Sequence, residues 1–131
     1  MIIVDAGVLT EALTGDAAAG KAARARLAQD PHWAAPGHLI LETFHAVRGR
    51  LLGKKIAQAR ADDAVAALTG ASIEAIGVQP LLIRMWELRS QVSGYDAAYV
   101  AAAEVYRAPL ITGDARLSRC TVARCEIEVI G

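Results

Sequence analysis

The chain has no surplus of either charge. Fourteen basic residues meet 14 acidic ones over 131 positions, for a formal net charge of +0. A protein that grips nucleic acid by electrostatics alone usually carries a basic surplus, so the balance counts against that class. It leaves room for an enzyme that holds phosphates through bound cations, whose charge no residue count includes. Also missing is any apolar run near the ~20 residues that cross a bilayer. Met1-Ile2-Ile3-Val4-Asp5 has neither the basic segment nor the cleavage pattern of a signal peptide, and the expectation is a cytoplasmic protein with no membrane partner. Cysteine is limited to Cys120 and Cys125, too few to complete a structural zinc set, and both are expected as reduced thiols. There is no linker, repeat or low-complexity tract. No Gly-x-Gly-x-x-Gly or Gly-x-x-x-x-Gly-Lys-Thr loop offers a phosphate cradle. Phosphatases with an acid nucleophile need a second acid two residues after the first, and Gly7 stands there.

What is present reads as one domain over residues 1–131. The hydrophobic share is 54% and the charged share 21%, the balance of a globular chain. Short apolar runs predict strands at Met1–Asp5, His32–Ala35, Ser72–Ile76, Leu110–Thr112 and Glu126–Ile130. Helical spacing predicts helices from Gly7 to Thr14, from Ala17 to Gln29 behind an Asp16 cap, and from Pro36 to about Leu52. Further helices are predicted over Lys55–Leu68, from Pro80 to about Val92, and over Tyr95–Arg107. Strands alternating with helices predict an α/β fold: a parallel sheet of about five short strands covered on both faces, a three-layer α/β/α arrangement. Ligands of such sheets gather beyond the carboxyl ends of the strands.

Four acids compete for that edge. Asp5 ends the first strand and Asp114 follows the fourth. Asp96 opens a helix, and Glu42 interrupts the apolar stretch Leu39–Phe44. Each has a plain structural reading: Asp96 and Asp114 as helix caps, Glu42 as a solvated residue. Asp5 is the hardest to read so, because it follows a strand buried on both sides and an unpaired buried carboxylate is costly. A hard divalent cation with oxygen ligands, Mg²⁺ or Mn²⁺, would supply the counter-charge. A rival stripe, His38, Glu42 and His45, shares one helical face, but it lacks the His-Glu-x-x-His order of zinc proteases.

Taken in order, Val4-Asp5-Ala6, Glu42, the segment Tyr95-Asp96-Ala97-Ala98-Tyr99-Val100-Ala101-Ala102-Ala103-Glu104 and the segment Pro109-Leu110-Ile111-Thr112-Gly113-Asp114-Ala115-Arg116-Leu117 resemble the PIN-domain family, and within it the VapC-like ribonuclease toxins of toxin–antitoxin pairs. The likeness runs over the whole chain, and the last two segments are its specific part. It implies a catalytic quartet of Asp5, Glu42, Asp96 and Asp114. Asp5, Asp96 and Asp114 would hold Mg²⁺ or Mn²⁺, with Thr112 supporting the last acid. The implied activity is hydrolysis of RNA phosphodiester bonds, leaving a 5′-phosphate and a 3′-hydroxyl. The implied partners are a second copy of the chain and a cognate VapB-like antitoxin whose C-terminal segment enters the acidic site.

Two positions depart from that pattern: Gly7 stands where relatives carry Ser or Asn, and His45 where they often carry Asn. They leave open a catalytically weak binding module that acts through its antitoxin, and a PIN nuclease of RNA processing is a further alternative. Arg84 and Arg89 are candidate phosphate contacts. Trp33 or Trp86 is expected in the core, and Leu9, Leu13 and Leu27 in a partner groove. Mutual repulsion among Asp5, Asp96 and Asp114 should raise at least one carboxyl pKa, so that Asp114→Asn is expected to stabilise the metal-free protein.

Overall fold

Ile2, Ile3 and Val4 are almost wholly out of water, as a strand apolar on both faces requires. They form β1 (Ile2–Val4) at the centre of a five-stranded sheet in a computed structural model that describes residues 1–131. The other strands are β2 (Trp33–Pro36), β3 (Ile73–Ile76), β4 (Leu110–Thr112) and β5 (Ile127–Val129), in the spatial order β3-β2-β1-β4-β5. Every pairing is parallel; Ile2 faces Trp33, Ile3 faces Leu110 and Leu110 faces Ile127. From β1 the strand order runs out to β2 on one side and to β4 on the other. The crevice between β1 and β4 is therefore the switch point at which open α/β sheets place their ligands.

The helices are α1 (Ala6–Thr14), α2 (Ala18–Leu27), α3 (Leu39–Leu52), α4 (Gln58–Thr69), α5 (Leu82–Glu87) and α6 (Gly94–Tyr106). One group is built on α1, which packs against α2, α3 and α4; a second pairs α5 with α6, and α6 lies on β1 and β2. The run Ala97–Ala103 of α6 is buried throughout, and its small residues let the helix approach the sheet closely. A second close approach joins α1 to α2, where a Cβ on Gly20 would run into the backbone of Gly15.

Several boundaries differ from the expectation. Pro36 does not open the third helix; it ends β2, opposite Ile76. The β1–β2 pairing has stopped by then, at Ile3 and Ala34, so the amide that proline lacks is not needed on that side. His38 then takes the N-cap position of α3. Asp16 does not cap α2, whose cap position is Ala17; its carboxylate pairs with Arg60 at 2.8 Å. The helix expected from Pro80 to Val92 is a short 3-10 turn over Gln79–Leu81 followed by α5, which ends at Glu87. Asp114 precedes only a 3-10 turn, Ala115–Arg119. Trp33 is half-buried, and its indole N–H donates to the carbonyls of Leu27 and Asp30. Trp86 is not core: it is 68% exposed, with the Arg89 guanidinium over its ring at 4.6 Å. No helix is long and apolar enough to cross a membrane.

Candidate active site

Asp5 leaves β1 and caps α1: its Oδ1 accepts the amide of Val8 at 2.9 Å. Its Oδ2 accepts a short hydrogen bond from the Thr112 hydroxyl at the end of β4. The same hydroxyl accepts the amide of Asp114 at 3.0 Å, so Thr112 ties the two strand ends together across the switch point. Asp5 is 7% exposed and has no basic partner. Burial pushes its pKa up, the bonds from Thr112 and Val8 oppose the shift, and the charges of Asp96 and Asp114 add to it.

Asp96 sits in the first turn of α6, but the cap is Ser93, whose hydroxyl accepts the Asp96 amide at 3.1 Å. Its carboxylate is thus not spent on capping, and its charge adds a little to the rise of the Asp5 pKa. Asp114 does cap the turn after it, accepting the Arg116 amide at 2.9 Å, and its carboxylate is clasped by the Arg116 guanidinium at 2.8 Å. That hydrogen-bonded cation holds its pKa below the usual carboxylate range. The raised pKa therefore belongs to Asp5, where burial is the main cause and like charge only a small addition, and not to Asp114. Asp114→Asn removes a favourable pair, so it should not stabilise the metal-free protein.

Glu42, in the first turn of α3, accepts a 2.9 Å hydrogen bond from the phenol of Tyr99. Tyr99 is buried, and desolvation together with the charges of Glu42 and Asp5 drives its pKa far up, so it stays a neutral donor. Tyr99 thus ties α6 to Glu42 at the start of α3. Sequence reasoning did not single it out, although its place one helical turn after Asp96 puts both on one face of α6. His38 brings Nε2 to 3.0 Å from Glu42. The approach lies off the direction that a hydrogen bond needs, and Nε2 is left buried without a bonded partner. His45 is exposed, so the His38–Glu42–His45 stripe does not close.

Neither candidate arginine is free. Arg84 donates to both oxygens of Glu104, at 2.7 and 3.1 Å, and to the carbonyl of Val122. That bonded carboxylate, despite burial, ends with a lowered pKa. Arg84 is thus a structural tie between α5 and α6, not an open phosphate contact. Arg89 stays at the surface on Trp86. The two thiols are unbonded, and burial lifts that of Cys125 to about 11, which makes it a poor nucleophile.

As they stand, no three His, Cys, Asp or Glu side chains are close enough to hold one ion. The chemistry of the donors nevertheless fits a hard divalent cation: Asp5, Asp96 and Asp114 offer only carboxylate oxygens, and the most buried of them has no positive charge beside it. Binding would require Asp114 to turn from Arg116, whose side chain is exposed and free to move.

The model of the PIN domain matches residues 2–122 of the chain. The chain is 36% identical over 129 residues to Ribonuclease VapC1 of Mycobacterium tuberculosis, covering 98% of this chain and 96% of that one. It is 33% identical to Ribonuclease VapC9 of the same organism, covering 99% and 98%. Among solved structures, it superposes on VapBC2 of Rickettsia felis bound to a promoter DNA fragment with a TM-score of 0.71, 13% identity and full coverage of both chains. M. tuberculosis VapC20, described as a toxin that cleaves the sarcin–ricin loop, gives a TM-score of 0.69 at 19% identity, covering 92% and 95%.

Proposed function

Because the chain belongs to the PIN-domain family, we propose that it is a ribonuclease toxin of the VapC kind, dependent on Mg²⁺ or Mn²⁺ and silenced by a cognate antitoxin. The observation that carries this reading is Asp5: a carboxylate 7% exposed at the switch point of the sheet, with no cation beside it and two further acids acting on it. Asp5, Asp96 and Asp114 would hold the cation, with Glu42 as a further ligand or as the group that orients a water. When bound, the cation supplies positive charge to the phosphate oxygens and favours ionisation of the attacking water. The protein's own contribution is placement. Thr112 fixes the Asp5 carboxylate and the Asp114 backbone in one frame. Tyr99 holds Glu42 by donating to it, and cannot itself serve as a base while it remains protonated.

The proposed partners fit two apolar surfaces. Leu9, Leu13 and Leu27, with Trp33 and Leu68, line a cavity of about 390 Å³, and this is the groove we assign to the antitoxin. Its walls come from α1, the end of α2, the start of β2 and the end of α4, at the amino edge of the sheet, so a segment seated in it would have to run back along α1 to reach the acids at the carboxyl edge. Ile40, Leu41 and Phe44 of α3, and Leu82, Ile83 and Trp86 of α5, are exposed and offer a face to a second copy of the chain. The hold of Arg116 on Asp114 favours a second reading, a catalytically weak module that acts by binding its antitoxin.

Cleavage of a single-stranded RNA by purified protein with Mn²⁺, and its loss in Asp96→Asn, tests the nuclease. Equal cleavage by wild type and Asp96→Asn sinks it at this site. Cleavage that rises sharply in Arg116→Ala supports a toxin restrained by its own arginine.

A further inference from the structure

A second cavity lies beside the acids. It measures about 390 Å³, within the range of small-ligand pockets (about 300–1,000 Å³), and is lined by His38, Val78, Met85, Gly94, Tyr95 and Ala98. These residues come from the loop after β3, from α5, from the cap of α3 and from the first two turns of α6. All but α5 place them at the carboxyl edge of the sheet, the edge that carries Asp5. The pocket shares a wall with the acidic site at two points: Tyr95 directly precedes Asp96, and the His38 imidazole stands 3.0 Å from Glu42.

Its walls are aromatic and apolar, with no acid or base other than His38. The Tyr95 ring is 67% exposed and tilted 56° to the His38 ring at 5.6 Å. The imidazole is in turn held edge-on to buried Tyr99 at 5.0 Å, so one wall is fixed and the other is open. We propose that this pocket takes the unpaired base of the nucleotide next to the scissile phosphate, stacked on Tyr95. The proposal rests on the ribonuclease reading above. A base is tied to its phosphate by one sugar, so a slot that shares a wall with the phosphate site is where a flanking base falls. Stacking on an aromatic face tolerates any base. Apart from His38 the wall offers no ionisable donor or acceptor, so bases are sorted mainly by stacking area and purines are favoured over pyrimidines at that one position.

The test combines cleavage and binding on single-stranded oligoribonucleotides with Mn²⁺. Wild type should show a purine preference at a single position flanking the cut. Tyr95→Ala should lower cleavage by about 5- to 100-fold and flatten the preference, while Tyr95→Phe stays near wild type. An abasic nucleotide at that position should erase the difference between wild type and Tyr95→Ala. 2-Aminopurine placed there should be quenched on binding to wild type and much less so on binding to Tyr95→Ala. Tyr95 is exposed, and unchanged melting temperatures check that both variants fold. Cleavage by wild type with no base preference and no effect of Tyr95→Ala overturns the base pocket and leaves the nuclease standing. So does a change of molecular mass in Tyr95→Ala with cleavage unchanged, which makes this face a protein contact. Neither cleavage nor quenching by wild type overturns both readings.

Discussion

Asp5 and Asp114 hold the same place in the fold and end in opposite electrostatic states. Each follows one of the two strands at the switch point, and each caps the turn that comes next. Asp5 lies beneath α1 with only a hydroxyl and an amide for company, and burial pushes its pKa up. Asp114 sits at the rim, and the Arg116 guanidinium pulls its pKa down. Topology decides which acids meet; the immediate surroundings decide which charge goes uncompensated. A cation that enters this crevice relieves Asp5, but must compete with Arg116 for Asp114.

The comparison is broken most directly by catalysis. Asp5→Asn should lower RNA cleavage on the order of 100- to 1,000-fold, the range for loss of one electrostatic group at a reacting centre. Asp114→Asn should cost less, because part of its charge is already neutralised. Single-turnover rates at saturating Mn²⁺, with circular dichroism as the check on folding, decide it. Equal losses would show that the Arg116 contact gives way entirely when the cation binds.

Metal linkage comes next in size. At a free Mn²⁺ concentration of ~100 times the dissociation constant, binding stabilises the fold by about 2.7 kcal/mol, a rise of several degrees in melting temperature. Asp5→Asn should lose most of that response. Arg116→Ala frees Asp114 and should tighten Mn²⁺ binding, seen as the same thermal shift at a lower metal concentration. An unchanged midpoint in Arg116→Ala would mean that Asp114 is a cap and no more.

Acid titration sharpens the contrast without metal. The folded pKa of Asp5 is raised, so its favourable contribution is fully present below the unfolded pKa and is lost as pH rises through the folded value. Asp114 and Glu104 have lowered pKa values; their contributions are present above the unfolded pKa and are lost as pH falls through the folded ones. Metal-free protein should therefore melt higher as pH falls from neutral toward the raised Asp5 value, then lower as the other two carboxylates take up protons. Asp5→Asn should erase the rise and keep the fall. Glu104→Gln should instead lower stability at neutral pH by about 1–3 kcal/mol, since it weakens the charged hydrogen bonds of Arg84.

The strands and the acids were legible because each obeys a local rule. Ile2–Val4 and Leu110–Thr112 are continuous apolar runs, and the residues just past them have to stand at the carboxyl edge. What the sequence hid depends on distance along the chain. Arg84 is a phosphate candidate until Glu104, on α6, takes its Nε and one Nη while Glu87 and the Val122 carbonyl take the rest. Pro36 reads as a helix start unless one knows that β1 stops pairing two residues earlier. Trp86 looks like core by its size, yet α5 turns Met85 toward the core and leaves its neighbour Trp86 on the surface. Tyr99 was invisible as a functional residue because its partner, Glu42, is 57 positions away.

The smallest expected effect concerns Gly7, which stands beside Asp5 in the first turn of α1. Its backbone is helical, without the positive φ that would demand glycine. A Cβ there meets only Asp5 Oδ1, at 3.5 Å. Serine is therefore accommodated without strain, and its hydroxyl comes within reach of the buried Asp5 carboxylate, which has no cation beside it. A bond donated to the charged form favours that form, so Gly7→Ser should bring the Asp5 pKa down toward its ordinary value. Replacing a helical glycine adds a few tenths of a kcal/mol from backbone entropy alone, and the new hydrogen bond about 1 kcal/mol more. The metal-free protein should then melt a few degrees higher at neutral pH, and its gain in stability on acidification should shrink. Gly7→Ala separates the two contributions, because it keeps the entropy and lacks the donor. If Gly7→Ser and Gly7→Ala melt alike and titrate alike, the hydroxyl does not reach Asp5, and the burial of that carboxylate is relieved by the cation alone.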